Sequence, residues 1–194
     1  MTEYSTTPRP RLIVGISGAS GSCYGIRLLE RLQPLPIETH LVMSSAAKLT
    51  LSLETDWALS DVEALADEVH HDKAIGAAIA SGSFRTLGMI VAPCSIRSMS
   101  DIAAGTTGSL LTRAADVVLK ERRRLVLMVR ESPLHANHLR NMTTLSELGA
   151  IIAPPVPGFY ARPQSLDEMI DHTVGRVLDL FDLEVPGVHR WDPQ

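Results

Sequence analysis

A glycine- and serine-rich turn near the start of the chain has the residue types that bind an anion. It reads Gly15-Ile16-Ser17-Gly18-Ala19-Ser20-Gly21 after the apolar run Leu12–Ile16, and a helix is expected to begin near Ser22. Glycines let a backbone approach a ligand, and a helix N-terminus presents free N–H groups that suit a phosphate or the edge of a flavin ring. The spacing is GxxGxxG, not the GxGxxG of dinucleotide sites, and no acidic residue ends the second predicted strand, so a mononucleotide is favoured. A tight turn that binds no ligand remains the alternative.

A second hydroxyl-rich turn, which contains Ser95 and Ser98, follows the apolar run Met89–Ala92. Ligands of open α/β sheets bind outside the carboxyl ends of the strands, so the two turns would hold one ligand from opposite sides. Cys94 lies in the second turn without a histidine near it in the sequence. A small buried hydrophobic residue is therefore favoured over a nucleophile at this position.

A charged pair, Arg130 and Glu131, ends a third apolar run, Leu125–Val129. Arginine can hold a phosphate with two parallel hydrogen bonds, and glutamate can transfer a proton. A structural ion pair between the two side chains remains the alternative. The basic residues 122–124 are expected to form the solvated C-terminal end of a helix.

Five short apolar runs place these residues in a fold. They are continuous and not alternating, which indicates strands buried on both faces, and segments with helical spacing or turn residues separate them. The pattern predicts the α/β class and a Rossmann-like (flavodoxin-like), doubly wound parallel sheet in a single domain. The predicted strands are Leu12–Ile16, His40–Met43, Met89–Ala92, Leu125–Val129 and Ile151–Ala153.

Apolar residues at helical spacing predict helices around this sheet. One covers Gly25–Leu32 and another Asn137–Leu148, and each is expected to turn its apolar face to the core. Ser165, followed three positions later by Glu168, predicts a capping box that opens the last helix. The expected core residues of the second helix are Leu139, Met142, Leu145 and Leu148.

Composition and charge exclude several classes of protein. The chain has 194 residues, 45% of them hydrophobic, and a net charge of −4 with its basic residues spread out, which argues against a nucleic-acid surface. No apolar run reaches the roughly 18 residues of a membrane span. Cys23 and Cys94 match neither a redox pair nor a zinc pattern, so we expect a protein of the reducing cytoplasm. Residues 1–10 are expected to be a flexible tail before one domain, residues 11–194.

Seven stretches of the chain resemble the UbiX family of flavin prenyltransferases. The longest, LTRAADVVLKERR at 111–123, is highly specific to that family. Together the stretches are colinear over nearly the whole chain. The others are ISGASG at 16–21, LETD at 53–56, PCS at 93–95, VRE at 129–131, PGFY at 157–160 and RPQS at 162–165.

The resemblance implies a dodecamer, assembled from trimers, that binds reduced FMN and joins its N5 and C6 to the dimethylallyl group of dimethylallyl phosphate. The product, prenylated FMN, would serve a UbiD-like decarboxylase, and no metal is implied. By position, the FMN contacts are Ser17, Gly18, Ala19, Ser20, Ser44, Ser95, Ser98 and Arg130. The substrate contacts are Arg113 (from a neighbouring subunit), Lys120, Arg130, Tyr160, Arg176 and Trp191, and the catalytic residues are Ser20, Glu54, Lys120 and Glu131.

The same resemblance gives the C-terminal helix and tail a part in the site, with Trp191 shielding the allyl cation. Glu54, with Ser20 as a relay, would remove the proton at C6, and Glu131 would act near the phosphate. A family rival, the decarboxylases of peptidyl or pantothenoyl cysteine, needs a histidine after the glycine-rich loop, and residues 18–48 hold only His40, in a strand. A rival of another class is a non-catalytic FMN-binding subunit of an aromatic-acid decarboxylase complex.

Overall fold

The structure, a computed structural model, describes residues 9–186. They form one sheet of six parallel strands in the order β3-β2-β1-β4-β5-β6, with helices on both faces. This is the Rossmann strand order, so the predicted α/β fold is confirmed. The strands are β1 (Arg11–Ile16), β2 (Glu38–Met43), β3 (Glu68–His71), β4 (Gly88–Cys94), β5 (Arg124–Val129) and β6 (Ile151–Ile152). The helices are α1 (Ser22–Leu32), α2 (Ser45–Glu54), α3 (Leu59–Glu63), α4 (Ile96–Ala103), α5 (Leu110–Lys120), α6 (Ala136–Glu147) and α7 (Leu166–Asp179).

The inner strands contribute alternate side chains to two apolar layers. On β1, Leu12 and Val14 pack into the layer that also holds residues of α1 and α7. Ile13 points to the opposite layer, with residues of α4 and α5. Because both faces are covered, these strands can be apolar at every position, which is why continuous apolar runs located them.

The strand order reverses between β1 and β4. The chain moves outward from β1 through β2 to β3, then returns to pair β4 with the other side of β1. The turns that leave β1 and β4 therefore diverge at the carboxyl edge and open a crevice, which is the usual ligand position in such sheets. The fold places both hydroxyl-rich turns at that crevice.

Sequence analysis missed the strand β3, Glu68–His71. It lies at the outer edge of the sheet, and its residues are exposed or half-buried. With one aliphatic residue, Val69, this segment has no apolar run to detect. The strand is held by its parallel pairing with β2 and not by burial of its own side chains.

The prediction of a buried apolar face on α6 was wrong at two positions. Leu145 is fully buried, but Leu139 and Leu148 are about half exposed. Helical spacing marks which residues share a face, but it does not say how much of that face a neighbouring element covers. The buried part of α6 packs on α4 and β6.

The basic residues 122–124 do not continue a helix. Helix α5 ends at Lys120, Arg122 has a positive φ of 57°, and Arg124 is already the first residue of β5. The Arg123 guanidinium donates hydrogen bonds to the carbonyls of Gly82 and Phe84. These arginines therefore shape the connection into β5 and bind a neighbouring loop at the amino edge of the sheet.

The predicted N-terminal tail lies mostly outside the described residues, as do residues 187–194. Arg9, within the expected tail, pairs with Asp67 at 2.6 Å, and the Pro10 carbonyl accepts from the N–H of Glu38. The attachment to the sheet thus begins by residue 9. Within residues 9–186, no helix is long and apolar enough to cross a membrane.

Candidate active site

Ser17 ties together the turns that follow β1 and β4. Its hydroxyl donates to the Pro93 carbonyl at 3.0 Å and accepts from the Ser95 N–H at 2.7 Å. The Ser17 N–H donates to the same carbonyl at 3.1 Å, and the residue is 1% exposed. In this structure Ser17 fixes the two turns relative to each other, while its contact with FMN stays a prediction.

Gly18 lets the first turn lie directly against the start of α2. A Cβ at this position would lie 2.4 Å from the Cβ of Ala46, far closer than two carbon atoms can approach. Any larger residue would push the turn and α2 apart. The glycine is therefore required by the close approach of two walls of the crevice.

A cavity of about 550 Å³ opens at this carboxyl edge. Its size lies within the roughly 300–1,000 Å³ of small-molecule sites. The turns after β1, β2, β3, β4 and β5 all contribute to its lining. Gly18, Ser44, Ser95 and Ser98, four of the predicted FMN contacts, lie on it.

Two helices begin at this cavity with unpaired backbone N–H groups. Ser44 caps α2 by accepting from the Ala47 N–H, and Ser95 caps α4 by accepting from the Ser98 N–H. The N–H groups of residues 45, 46, 96 and 97 have no partner among residues 9–186, and all four residues line the cavity. Two helix N-termini with free donors at one cavity are suited to bind a phosphate.

A third helix start at the cavity, that of α5, is already closed. Its capping residue Ser109 accepts from the Thr112 N–H. The Asp72 carbonyl accepts from the Leu110 N–H at 2.7 Å, and the Asp72 carboxylate accepts from the Leu111 N–H at 3.1 Å. An anion at the cavity therefore meets free donors from α2 and α4, while α5 contributes side chains.

Glu54 caps a helix to which it does not belong. Its carboxylate accepts from the N–H of Gly21 at 2.8 Å and of Ser22 at 3.3 Å, at the start of α1. Partial burial opposes its ionisation, but a hydrogen bond from Ser20, these two N–H groups and the charge of Arg130 together lower the pKa of the Glu54 carboxyl. Glu54 is therefore ionised at neutral pH, hydrogen-bonded to Ser20, and able to accept a proton.

Arg130 and Glu131 do not form the structural ion pair that was considered as an alternative. Among residues 9–186 the Arg130 guanidinium has no hydrogen-bond partner, and its backbone N–H donates to the Cys94 carbonyl at 3.1 Å. The Glu131 carboxylate accepts from the N–H of Ser132 and lines the main cavity. An exposed arginine without a hydrogen-bonded partner among the described residues, at the carboxyl edge of the sheet, is available to hold an anion.

Tyr160 and Arg176 line a second, smaller cavity of about 310 Å³ together with His172. The Tyr160 hydroxyl lies 3.0 Å from the His172 Nε2 atom. Arg176 pairs with Asp179 at 2.6 Å on the same helix, α7. The structure thus brings two predicted phosphate contacts together beside the outer strand β6.

Lys120 is not brought to the main cavity within one chain. It is the last residue of α5, a helix that starts at the carboxyl edge, so it lies about 15 Å from the start of that helix, near the amino edge. There it pairs with Glu121. Arg113 pairs with Asp116 at 3.0 Å and does not line the main cavity. Trp191 lies outside the described residues.

Cys94 is a buried structural residue, as the sequence predicted. It is fully buried at the end of β4, and burial raises the pKa of its thiol to about 12. A thiol that stays protonated at physiological pH is a poor nucleophile. Its side chain packs in the layer between β4 and α5.

Sequence reasoning missed three residues at the two cavities. Asp72 follows strand β3, which the sequence analysis did not detect. Nothing in the sequence therefore placed Asp72 at the carboxyl edge of the sheet. Ser109 precedes an apolar helical run and is followed three positions later by Thr112, which forms a capping box that was detectable. His172 was passed over because it lies within an ordinary helical pattern.

The chain matches the family model of the flavoproteins over residues 1–178. Among curated proteins, it is similar to the flavin prenyltransferase UbiX of Escherichia coli (strain K12). The two are 63% identical over 177 residues, which cover 91% of this chain and 94% of that protein.

Two solved structures are closely similar to this fold. The crystal structure of AnUbiX in complex with FMN and dimethylallyl pyrophosphate has a TM-score of 0.94 and 49% sequence identity, and the match covers 96% of this chain and 99% of that chain. The dodecameric FMN-dependent UbiX-like decarboxylase from Escherichia coli O157:H7 has a TM-score of 0.93 and 51% identity, over 94% of this chain and all of that one.

Proposed function

We propose a division of labour among the residues of this chain, which belongs to the UbiX family of flavin prenyltransferases. The chain is a flavoprotein and a prenyltransferase that transfers a dimethylallyl group to FMN. Reduced FMN supplies the nucleophilic ring atoms, N5 and C6, that take this group. The donor in our proposal is dimethylallyl phosphate, and each side chain has a separate part in the transfer.

The FMN phosphate binds between the starts of α2 and α4. Four free N–H groups converge there, and the lining also holds the hydroxyls of Ser44, Ser95 and Ser98. The isoalloxazine ring lies along the turn of residues 17–20, which Gly18 lets approach the start of α2. This placement uses every predicted FMN contact at the crevice except Arg130, whose guanidinium reaches the ring or the donor from the end of β5.

The donor phosphate is held by cations and a hydroxyl. Arg130, Tyr160 and Arg176 come from one subunit. Lys120 comes from a neighbouring one, because it ends α5 about 15 Å from the carboxyl edge of its own chain, and Arg113, which pairs with Asp116 in its own chain, is assigned to the neighbour as well. Breaking an allylic C–O bond leaves the electron pair on the phosphate oxygen. Positive charge fixed around that oxygen stabilises the leaving group in the transition state.

Glu54 and Ser20 remove the proton that ring closure at C6 releases. The lowered pKa keeps the Glu54 carboxylate ionised, and its hydrogen bond with Ser20 gives a path through the hydroxyl. Glu131, at the same edge, exchanges a proton with the departing phosphate. Trp191, which lies outside the described residues, would supply π-density to the allyl cation.

The product serves a UbiD-like decarboxylase, and the chain acts in the cytoplasm as a dodecamer. The dodecameric relative supports this assembly, and an assembly is needed if a neighbour supplies Lys120. The single observation that carries the proposal is the pair of open helix N-termini at the main cavity, with the Glu54–Ser20 pair at the start of the neighbouring helix α1.

Mass spectrometry of the flavin tests the reaction. Purified protein incubated with reduced FMN and dimethylallyl phosphate should yield a flavin heavier by one dimethylallyl unit, and an unchanged flavin mass would refute it. The variant Glu131→Gln separates this from a non-catalytic FMN-binding subunit. The enzyme should lose turnover while it still binds FMN, whereas a carrier would support its decarboxylase undiminished.

A further inference from the structure

His172 is a buried histidine with no role so far in the reaction. It lies on α7 and is 8% exposed, among the few buried polar residues of the described chain. Its Nε2 atom lies 3.0 Å from the hydroxyl oxygen of Tyr160. Burying an imidazole is unfavourable unless its polar atoms are bonded, so a specific contact is expected to maintain it there.

The two rings are held in a defined arrangement. Their planes are inclined by 79° with centroids 5.3 Å apart, which is an edge-to-face contact. Gly158 packs its backbone against both rings, since a Cβ there would lie 2.9 Å from the His172 Cε1 atom and 3.1 Å from the Tyr160 Cε1 atom. The phenol, whose own residue is 43% exposed, is therefore fixed by contacts with a buried partner.

Arg176 lies four residues after His172 on α7. Residues four apart share a face of a helix, and both line the smaller cavity with Tyr160. The guanidinium and the phenol hydroxyl thus border one space. An anion in that space would meet a charge from Arg176 and a hydroxyl whose direction depends on His172.

We propose that His172 is a positioning residue that directs the Tyr160 hydroxyl to the donor phosphate. With hydrogen on Nε2, the imidazole donates to the phenol oxygen, and the phenol O–H then donates to a phosphate oxygen. The reverse direction, in which the phenol donates to Nε2, would turn its hydrogen away from the phosphate. A donor chain of this kind strengthens each of its hydrogen bonds. The inference rests on the role of Tyr160 in the proposed function.

Two substitutions of His172 test the direction of the hydrogen bond. His172→Leu removes the donor and should raise KM for dimethylallyl phosphate about tenfold, the loss expected for one hydrogen bond to a charged group. Affinity for FMN, measured by flavin fluorescence, should stay within about twofold because the FMN cavity is separate. His172→Gln keeps an N–H donor at a similar reach and should restore KM to within about threefold of the wild-type value.

A double-mutant cycle with Tyr160→Phe separates positioning from packing. If His172 acts through the hydroxyl, His172→Leu should add nothing to the KM of Tyr160→Phe. Additive effects on KM, or equal KM values for the Gln and Leu variants, would overturn the proposal. If His172→Leu does not fold, as thermal unfolding would show, His172→Met takes its place in the cycle, because methionine also fills the space without a hydrogen-bond donor. A wild-type KM for Tyr160→Phe alone would remove the premise, and absent turnover in the wild type would refute the proposed function itself.

Discussion

Replacing Glu54 by glutamine would separate two roles that the structure gives to one carboxylate. Glu54 caps the start of α1 through the N–H groups of Gly21 and Ser22, and it also accepts from the Ser20 hydroxyl. Glutamine keeps the shape and one acceptor oxygen but removes the negative charge. The structural role should weaken slightly, while the transfer of a proton should fail.

The expected loss of stability is small. A negative charge at a helix N-terminus contributes about 0.3–1 kcal/mol at an exposed site, and solvent screens a side chain as open as Glu54. We therefore expect the variant to unfold with about 1 kcal/mol less free energy, a fall in Tm of about 2–4 °C for a chain of this size. In contrast, loss of a general base should lower kcat by about 10²–10⁴.

The pH dependence distinguishes the charge from the shape. Because the folded-state pKa of Glu54 is lowered, the carboxylate stabilises the fold above its unfolded-state pKa, and this contribution is lost as the pH falls through the folded-state pKa. The difference in unfolding free energy between wild type and Glu54→Gln should thus be full at pH 7 and vanish once both forms are neutral. Denaturant unfolding at a series of pH values measures it.

Glu63→Gln is a matched control for this substitution. Glu63 is a half-buried carboxylate that pairs with Lys48 at 3.5 Å and, unlike Glu54, accepts no hydrogen bond from the start of α1. Its loss should change stability little and leave kcat unaltered. The reasoning would be refuted if Glu54→Gln lowered Tm as expected but turned over at the wild-type rate, because Glu54 would then be a helix cap alone.

Three further predictions follow from the contacts of single residues. Gly18→Ala should weaken FMN binding at least tenfold and destabilise the fold by about 1–3 kcal/mol, since its Cβ would meet α2 at 2.4 Å. Fluorescence titration and thermal unfolding measure the two effects. The control Gly76→Ala, with open space around it, should change neither of them. Oligomers mixed from inactive Lys120→Ala and Arg130→Ala subunits should regain about a quarter of wild-type turnover if each site combines two subunits, and unrestored turnover would place both residues in one chain. Cys94→Ala should keep turnover within about twofold, and the native Cys94 thiol should resist labelling by a thiol reagent until the protein unfolds, which peptide mass mapping would detect.

The sequence predicted the inner part of the fold well because burial leaves a direct signal there. Strands β1, β4 and β5 are covered on both faces, and each appears as a continuous apolar run. The edge strand β3 was not predicted because it is held by pairing with β2 and its side chains are not buried, so it has no apolar run. Leu139 and Leu148 were misplaced in the core because the sequence shows the apolar face of α6 but not the extent of its cover.

The candidate site was predictable as residue types but not as an arrangement. The hydroxyl-rich turns after β1 and β4 were found because glycine and serine cluster at strand ends. That Lys120 lies near the opposite edge from Arg130 follows from the direction of α5, which only the assembled sheet reveals. The tie made by Ser17 joins residues more than 70 positions apart, so no local pattern could show it.

The open starts of α2 and α4 have a consequence for release of the product. Among the described residues, Arg97 is the basic side chain that lines the main cavity, and it is 89% exposed and paired with Asp101. The phosphate group of FMN would thus be bound by neutral backbone amides, and alkylation of the ring does not change that phosphate. Such a phosphate site binds FMN and prenylated FMN equally well. It therefore does not change the rate of the chemical step. Binding without a dedicated counter-ion would also suit the proposed release of the product to a decarboxylase.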